Sequence, residues 1–413
     1  MLKKILLLSI SLFTMLHLSA CTDFKKDNKN SPIDNKPTTP EEKVVEEPKV
    51  DELKEKIKTM TLEEKAGQLV MVGLDEYTNN AHSKEMVEKY KVGGFILFEK
   101  NIKDAKQMLS LINSLKQSNL INKAPLFLSI DEEGGRVTRM PKEFVKLPSS
   151  KYIGQFNNSQ LSYDIGTILG KELKSFGLNM DFAPVLDINS NAKNPVIGDR
   201  AFGANEKLVS KLGLETMKGI QKEKVIPVIK HFPGHGDTSV DSHIGLPVVN
   251  NTLSRLKSFE LVPFKEAIDN GADMIMVAHI LLPKIDDKSP ASFSKTVITD
   301  ILRKDLNFNG VVITDDMTMG AVMKNFKIEE AAVTSLKAGT DIILVCHDYN
   351  NQIKVIDNIK KSIENGNLPM EEIDEKLYRI LKLKNKYNLK DDIVQSIDIP
   401  SINQKIKSTL NIK

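Results

Sequence analysis

The chain has 413 residues, 40% hydrophobic and 27% charged, a balance that excludes a polytopic membrane protein and a wholly disordered chain. Lys and Arg number 58 against 55 Asp and Glu, so the net charge of +3 is too near neutrality for a nucleic-acid-binding footprint. Two cysteines, Cys21 and Cys346, exclude a disulfide scaffold and a four-cysteine zinc site.

Lys3 and Lys4 precede the apolar run Ile5–Leu18, which has the length of a signal-peptide core and is short for a membrane span. The run ends in Leu18-Ser19-Ala20-Cys21. Small residues before a cysteine resemble the lipobox of bacterial lipoproteins, in which the cysteine becomes the first mature residue and carries lipid on its sulfur. On that reading residues 1–20 are a lipoprotein signal peptide and Cys21 is the lipidation site. The lipid then holds the chain on the extracytoplasmic face of the cell membrane. An ordinary secretory signal that happens to contain a cysteine is the alternative. Residues 21–50 are rich in Lys, Asp, Asn, Glu and Pro. They cannot bury enough apolar surface to offset their ordering entropy and read as a disordered tether.

From Asp51 the pattern changes. Eight apolar runs follow: Gln68–Leu74, Val92–Phe98, Ala124–Ile130, Asn179–Leu186, Val225–Ile229, Asp273–Ala278, Gly310–Ile313 and Asp341–Val345. Between them lie amphipathic stretches such as Lys103–Gln117, Ser162–Phe176, Ser254–Asn270 and Glu329–Ala338. Near-continuous apolar strands imply burial on both faces, as in a parallel sheet covered by helices. Eight of them predict an α/β fold, a single (β/α)8 TIM-type barrel over residues 51–390 with a C-terminal extension at 391–413. Cys346, in an apolar run, is expected as a buried small hydrophobe.

Several runs end in ionisable residues: Asp131, Asp187, Lys230 with His231, His279, and Asp315. In a barrel those ends converge on one mouth. The loop KHFPGHGDTSVDSHIGLP after the fifth run holds three histidines, His231, His235 and His243, with Asp237 and Asp241. A zinc cluster is one reading, but His231 and His235 straddle a Pro-Gly turn, so their spacing does not put them on one helical face. In Asp241-Ser242-His243 a carboxylate two residues from an imidazole can hold one ring nitrogen and free the other for proton transfer. A solvated Asp beside a loop His is the plainer alternative. Asp315 and Asp316 can supply a carboxylate nucleophile, a metal ligand or a helix cap, and strand alternation turns only one of them to the mouth. Asp131, Glu132 and Glu133 stand close in sequence to Arg136 and Arg139, and Arg200 lies further on. Such pairs often form buried bidentate contacts.

Four stretches, DEEGGRVTR, NPVIGDRAFG, KHFPGHGDTSVDSH and ITDDMTMGA, occur in this order at barrel-strand intervals. Together they resemble glycoside hydrolase family 3, in its bacterial β-N-acetylglucosaminidase branch, from Leu53 to Leu389. The Asp-Ser-His element marks that branch. β-Glucosidases of the same family use a glutamate acid from a second domain, which this chain is not expected to carry. The resemblance implies that Asp315 is the nucleophile, His243 the general acid/base and Asp241 its orienting partner. It implies that Asp131, Arg139, Arg200, Lys230 and His231 hold the sugar, with no role carried over to Asp316.

The implied substrate is a carbohydrate with a terminal, non-reducing β-linked N-acetylglucosamine or other N-acetylhexosamine, drawn from peptidoglycan fragments. The implied reaction is retaining hydrolysis, with neither metal nor organic cofactor. A histidine, with an ordinary pKa of about 6.5, suits proton transfer near neutral pH. Two alternatives remain open. A neutral imidazole repels phosphate less than a carboxylate does, which admits a phosphorylase. A lipid-anchored sugar-binding protein without catalysis is the other, and the intact Asp315 and Asp241–His243 set argues against it.

Overall fold

The computed structural model describes residues 51–243 and 245–412. The signal peptide, Cys21 and the tether expected over residues 1–50 lie outside the described residues. Eight parallel strands close into a barrel in chain order, with β1 hydrogen-bonded to both β2 and β8. They are β1 (Val70–Gly73), β2 (Gly94–Ile96), β3 (Phe127–Ile130), β4 (Met180–Asp181), β5 (Ile226–Phe232), β6 (Met274–Val277), β7 (Val311–Asp316) and β8 (Ile342–Val345). Each overlaps one of the eight apolar runs, and the fold is the expected (β/α)8 barrel. The strands are almost wholly buried because their side chains fill the barrel on one face and meet helices on the other.

Helix ends are written in the sequence as side-chain caps. Asp104 accepts from Gln107 N and starts the helix Ala105–Asn119, and Asn158 starts Ser159–Phe176. Gly177, at φ 77°, closes that second helix in the left-handed conformation. Thr61 and Glu64 form a reciprocal capping box for Leu62–Gln68.

Two expected elements differ. The stretch Ser254–Asn270 is two helices, Leu253–Ser258 and Val262–Asp269, with a break at Phe259–Leu261. Pro263 is the cause: it has no N–H to give to the preceding turn, so it sits in the first turn of the second helix, where none is needed. The run Asn179–Leu186 contributes only Met180–Asp181 to the ladder. Beyond it Pro184 cannot donate, and the chain continues extended beside β5 through Lys230 N to Pro184 O (3.2 Å) and Leu186 N to Lys230 O (2.6 Å).

The segment after residue 390 packs on the barrel. Asp391 accepts from Leu126 N and Asn119 Nδ2, Lys116 donates to Asp392 O, and Val394 pairs with Asn113 in both directions. The terminal helix Ile399–Leu410 buries Ile406 in the main core.

The closure of β8 on β7 rests on Asp341, which is fully buried. Its carboxylate accepts from Arg303 (2.6 Å), Arg379 (2.8 Å) and Val312 N (2.8 Å). Burial acts to raise its pKa, and the two guanidinium charges outweigh this and hold it below the ordinary value. Replacing Asp341 by Ala removes the carboxylate from both arginines, leaving Arg303 only its backbone carbonyl acceptors, and we expect a loss of about 3–5 kcal/mol in urea denaturation. A depressed folded-state pKa stabilises above the unfolded value, so the wild type should lose this contribution as pH falls through the carboxylate range. The Asp341→Ala chain should show a shallower acid dependence.

Candidate active site

The C-terminal ends of the strands surround a cavity of about 400 Å³. Asp131, Arg139, Arg200, Lys230, His231, Asp241, His243 and Asp315 all line it. Residues up to 184 positions apart in the chain, from Asp131 to Asp315, therefore meet at one mouth.

The floor is a charge network. Lys230, on β5, is 1% exposed, and its ammonium donates to Asp131 (2.6 Å) and meets Glu133 (2.7 Å). Glu133 also takes both prongs of Arg200, Nε at 2.8 Å and NH2 at 2.7 Å. Burial acts to raise the Glu133 pKa, but Arg200 and Lys230 hold it far below the carboxylate range. For Lys230 burial acts to lower the pKa, and Asp131 and Glu133 reverse that into a rise. Each charge thus fixes the ionisation of the next.

His231 extends the network. Its Nδ1 lies 2.6 Å from Asp187 Oδ2, and Asp187 is fully buried. Burial acts to raise the Asp187 pKa, and His231 chiefly outweighs it, so the carboxyl stays ionised. An ionised carboxylate only accepts, which assigns the ring proton to Nδ1 and leaves Nε2 to accept from Arg200 at 3.3 Å.

Arg139 rides on a tight turn. Gly134 (φ 76°) and Gly135 (φ 61°) take left-handed conformations that other residues adopt at a cost. Glu132 then gathers the returning strand by accepting from Arg139 N, Met140 N and the Thr138 hydroxyl. Burial pushes the Glu132 carboxyl up to about 7. The buried Nε of Arg139 has no hydrogen-bond partner among the described residues, so that side chain keeps donor capacity at the cavity.

The two aspartates of β7 divide their roles. Both line the cavity, against the expectation that only one would, because the β7–β8 register shifts between Ile313 and Asp316. Asp316 spends its carboxylate on Thr318 N, the Thr318 hydroxyl and Cys346 N. Asp315 accepts one backbone bond, from Asp316 N at 2.8 Å. Burial acts to raise its pKa, and His231, His279 and that N–H outweigh it, so Asp315 is held ionised. Across the cavity, His243 Nδ1 lies 2.8 Å from Asp241 Oδ1, which also accepts the His243 backbone N–H at 2.9 Å. The His243 side chain is 67% exposed, with Nε2 unengaged among the described residues. Cys346 is buried as expected, with its sulfur beside Asp316, and burial pushes its thiol well up.

Residues 61–383 match the model of the glycosyl hydrolase family 3 N terminal domain. The chain belongs to glycosyl hydrolase family 3. A beta-hexosaminidase A of Pseudoalteromonas piscicida is 36% identical over 326 residues, 73% of this chain and 54% of that protein, so the chain spans about half of this relative. A beta-hexosaminidase of Idiomarina loihiensis is 36% identical over 67% of this chain and 83% of its own. Among solved structures, a family 3 beta-N-acetylglucosaminidase from Paenibacillus superposes with a TM-score of 0.80 at 38% identity, covering 85% of this chain and 68% of that one. A beta-N-acetylhexosaminidase from Beutenbergia cavernae covers 79% of this chain and 99% of its own, with a TM-score of 0.74 and 28% identity.

The structure brings together every site residue that the family motifs point to. It adds roles for Glu133 and Asp187: Glu133, weighed with Glu132 as a competing acid to His243, pairs with Lys230 and Arg200, and Asp187, seen only as a strand-end residue, orients His231. For Asp187 the signal was its position at a strand end, and for Glu133 its place beside Asp131. Neither marks which cation or ring it meets. Nδ1 of His231 meets Asp187 and Nδ1 of His235 meets Thr238, and among the described residues no group of three or more His, Cys, Asp and Glu side chains is arranged to hold a metal ion. Asp187→Asn offers an amide to His231 Nδ1 and reverses the tautomer, setting Nε2–H against Arg200. A charge-assisted bond of about 1.5–3 kcal/mol is lost, so kcat/KM should fall roughly 10- to 100-fold with the circular dichroism of the fold retained.

Proposed function

We propose that this family 3 protein hydrolyses terminal, non-reducing β-linked N-acetylglucosamine or N-acetylhexosamine residues with retention of configuration. The observation that carries the reading is the cavity itself. An ionised aspartate with an uncommitted oxygen and an oriented imidazole with an unengaged nitrogen face one space, above a floor of hydrogen-bonding charges. The names of the hexosaminidase relatives and of the acetylglucosaminidase structures support the substrate class.

In this reading Asp315 attacks the anomeric carbon while His243 protonates the leaving oxygen through Nε2. The covalent glycosyl-enzyme is then opened by water, from which His243 takes a proton. Asp241 holds the imidazole by Nδ1 and stabilises the cation formed after water gives up its proton. Asp131, Arg139, Arg200, Lys230 and His231 hold the sugar. Neither rival carboxylate replaces His243: Glu133 is locked between Arg200 and Lys230, and Glu132 is buried under the 138–140 backbone. Phosphorolysis is the second reading. A neutral imidazole in place of a carboxylate, with the donor capacity of Arg139 beside it, admits a phosphate acceptor. Sugar 1-phosphate among the products when phosphate is added would select it.

Peptidoglycan fragments are the proposed natural source, and the proposed location is the extracytoplasmic face of the cell membrane, through lipid on Cys21. Both rest on the sequence: the lipobox-like Leu18–Cys21 and a tether that would hold the barrel near wall glycan. Stable anchoring needs more than one acyl chain, each buried methylene contributing about 0.8 kcal/mol. Cys21→Ser should abolish labelling by a fatty-acid analogue and release the protein from the membrane fraction. A mutant that labels and fractionates like the wild type rules the anchor out.

Asp315→Ala should abolish cleavage of a nitrophenyl β-N-acetylglucosaminide. Asp316→Ala, which loosens the turn without removing the nucleophile, should leave measurable turnover. A fluorosugar adduct mapped by mass spectrometry should sit on Asp315, and an adduct on any other residue overturns the assignment. His243→Ala should lose about 10²–10⁴-fold in kcat/KM on a disaccharide, whose alkoxide must be protonated, and far less on the nitrophenyl substrate.

A further inference from the structure

Ser242 stands between Asp241 and His243 and is 2% exposed, although the side chain of His243 beside it is 67% exposed. It is tied at two points. Its carbonyl accepts from Ala321 N at 3.0 Å, and its hydroxyl lies 3.2 Å from His235 Nε2. Ala321 belongs to the turn of helix Gly320–Met323 that follows β7, the strand carrying Asp315. His235 belongs to the loop that leaves β5. One buried serine thus joins the loop holding His243 to both the β5 exit and the β7 exit.

The bond joins two buried groups in either ring tautomer. The Thr238 hydroxyl lies 3.0 Å from His235 O and 2.8 Å from His235 Nδ1, and it accepts from Asn194 Nδ2 at 3.1 Å. With the ring proton on Nδ1, Ser242 donates to Nε2; with it on Nε2, Ser242 accepts. Burial pushes the His235 pKa down to about 4, so the ring is neutral in the range where the enzyme is proposed to work. The His235 backbone N–H is held by Asp187 Oδ1 at 2.6 Å, the carboxylate whose other oxygen orients His231. Ser242 is not set up as a nucleophile of its own: the ring it faces has a threonine behind it, not a carboxylate.

We propose that the His235–Ser242 hydrogen bond is a latch that fixes the backbone on both sides of Ser242 and so sets His243 over the leaving group. His235 and Ser242 are positioning residues that act through His243, and the proposal rests on the reading of His243 as acid/base. Removing the hydroxyl leaves His235 Nε2 buried without its partner and Ser242 with one tie, to Ala321. A misplacement of roughly 1 Å costs on the order of 10²-fold in an oriented reaction, and it falls on the step that needs the acid.

The test measures kcat/KM, which reports the first chemical step, for full-length Ser242→Ala, Ser242→Thr, His235→Asn and His243→Ala. Each is assayed on a nitrophenyl β-N-acetylglucosaminide and on a β-linked N-acetylglucosamine disaccharide. Ser242→Ala and His235→Asn should lose about tenfold or more on the disaccharide and less than about threefold on the nitrophenyl substrate. Ser242→Thr, which keeps the hydroxyl, should restore the disaccharide activity. Ser242→Ala combined with His243→Ala should be no worse on the disaccharide than His243→Ala alone. Equal losses on both substrates, or no loss, in Ser242→Ala while His243→Ala shows the leaving-group dependence would overturn the latch and leave the acid/base reading standing. If His243→Ala itself shows no leaving-group dependence, the acid/base reading fails and the latch fails with it.

Discussion

A fully buried ammonium is the constraint on which this site depends. Lys230 loses its water at the mouth of the barrel, and desolvation of such an ion costs several kcal/mol. Two carboxylates, Asp131 and Glu133, offset it. Glu133 in turn needs Arg200, because one ammonium shared with the part-exposed Asp131 does not balance both anions. Arg200 reaches His231, and His231 is oriented by Asp187. The strand ends of β3, β4 and β5 and the Arg200 turn are thereby locked by a single alternation of charge, and removing one member leaves its neighbour buried and unpaired.

That alternation explains how so many charged groups can stand at one cavity: each is balanced by a neighbour. The anchored groups spend one face on each other and keep the other toward the space where a sugar would lie. Asp315 follows the same rule on β7. Its pKa is held down by surrounding histidines and one backbone N–H rather than by a close cation. A carboxylate paired directly with lysine or arginine would be ionised too, but less suited to the nucleophile role proposed for Asp315. Asp316, next along the chain, shows the other use of an aspartate: its carboxylate accepts three hydrogen bonds from the turn and from Cys346, just past β8.

Much of this was legible in the sequence, and the reason is geometric. Strands buried on both faces have to be apolar along their length, so a charged residue at a strand end stands out against the run before it. Asp131, Lys230, His231 and Asp315 were visible for that reason, and the barrel follows from eight such runs. The helix caps were equally local. What could not be read were relations across the mouth: that Glu133 rather than Asp131 takes Arg200, and that Asp187 orients His231. Those depend on distances set by barrel closure, not by spacing in the chain. The break at Pro263 was readable from proline chemistry but was overridden by the helical period around it. The two-sided exposure of the Asp315–Asp316 pair was hidden, because a register shift cancels the strand alternation on which the expectation stood.

The site therefore divides by solvent access, and the division matches what the proposed mechanism asks of each part. In that mechanism, groups that bind and orient must keep their place, and Lys230, Glu133 and Asp187 are buried and paired. A group that passes a proton to a leaving oxygen and takes one back from water must change charge twice in each cycle. Burying it would add a desolvation cost every time it became an imidazolium. His243 stands largely exposed, with Asp241 as a single partially exposed counter-charge, and so avoids that cost. Exposure has a consequence of its own, since a solvated side chain on a loop is free to wander. The buried residue between the pair is held where the exposed ones are not: Ser242 is anchored at both its hydroxyl and its carbonyl, so the group proposed to transfer the proton is solvated while the backbone beside it is tied at two points.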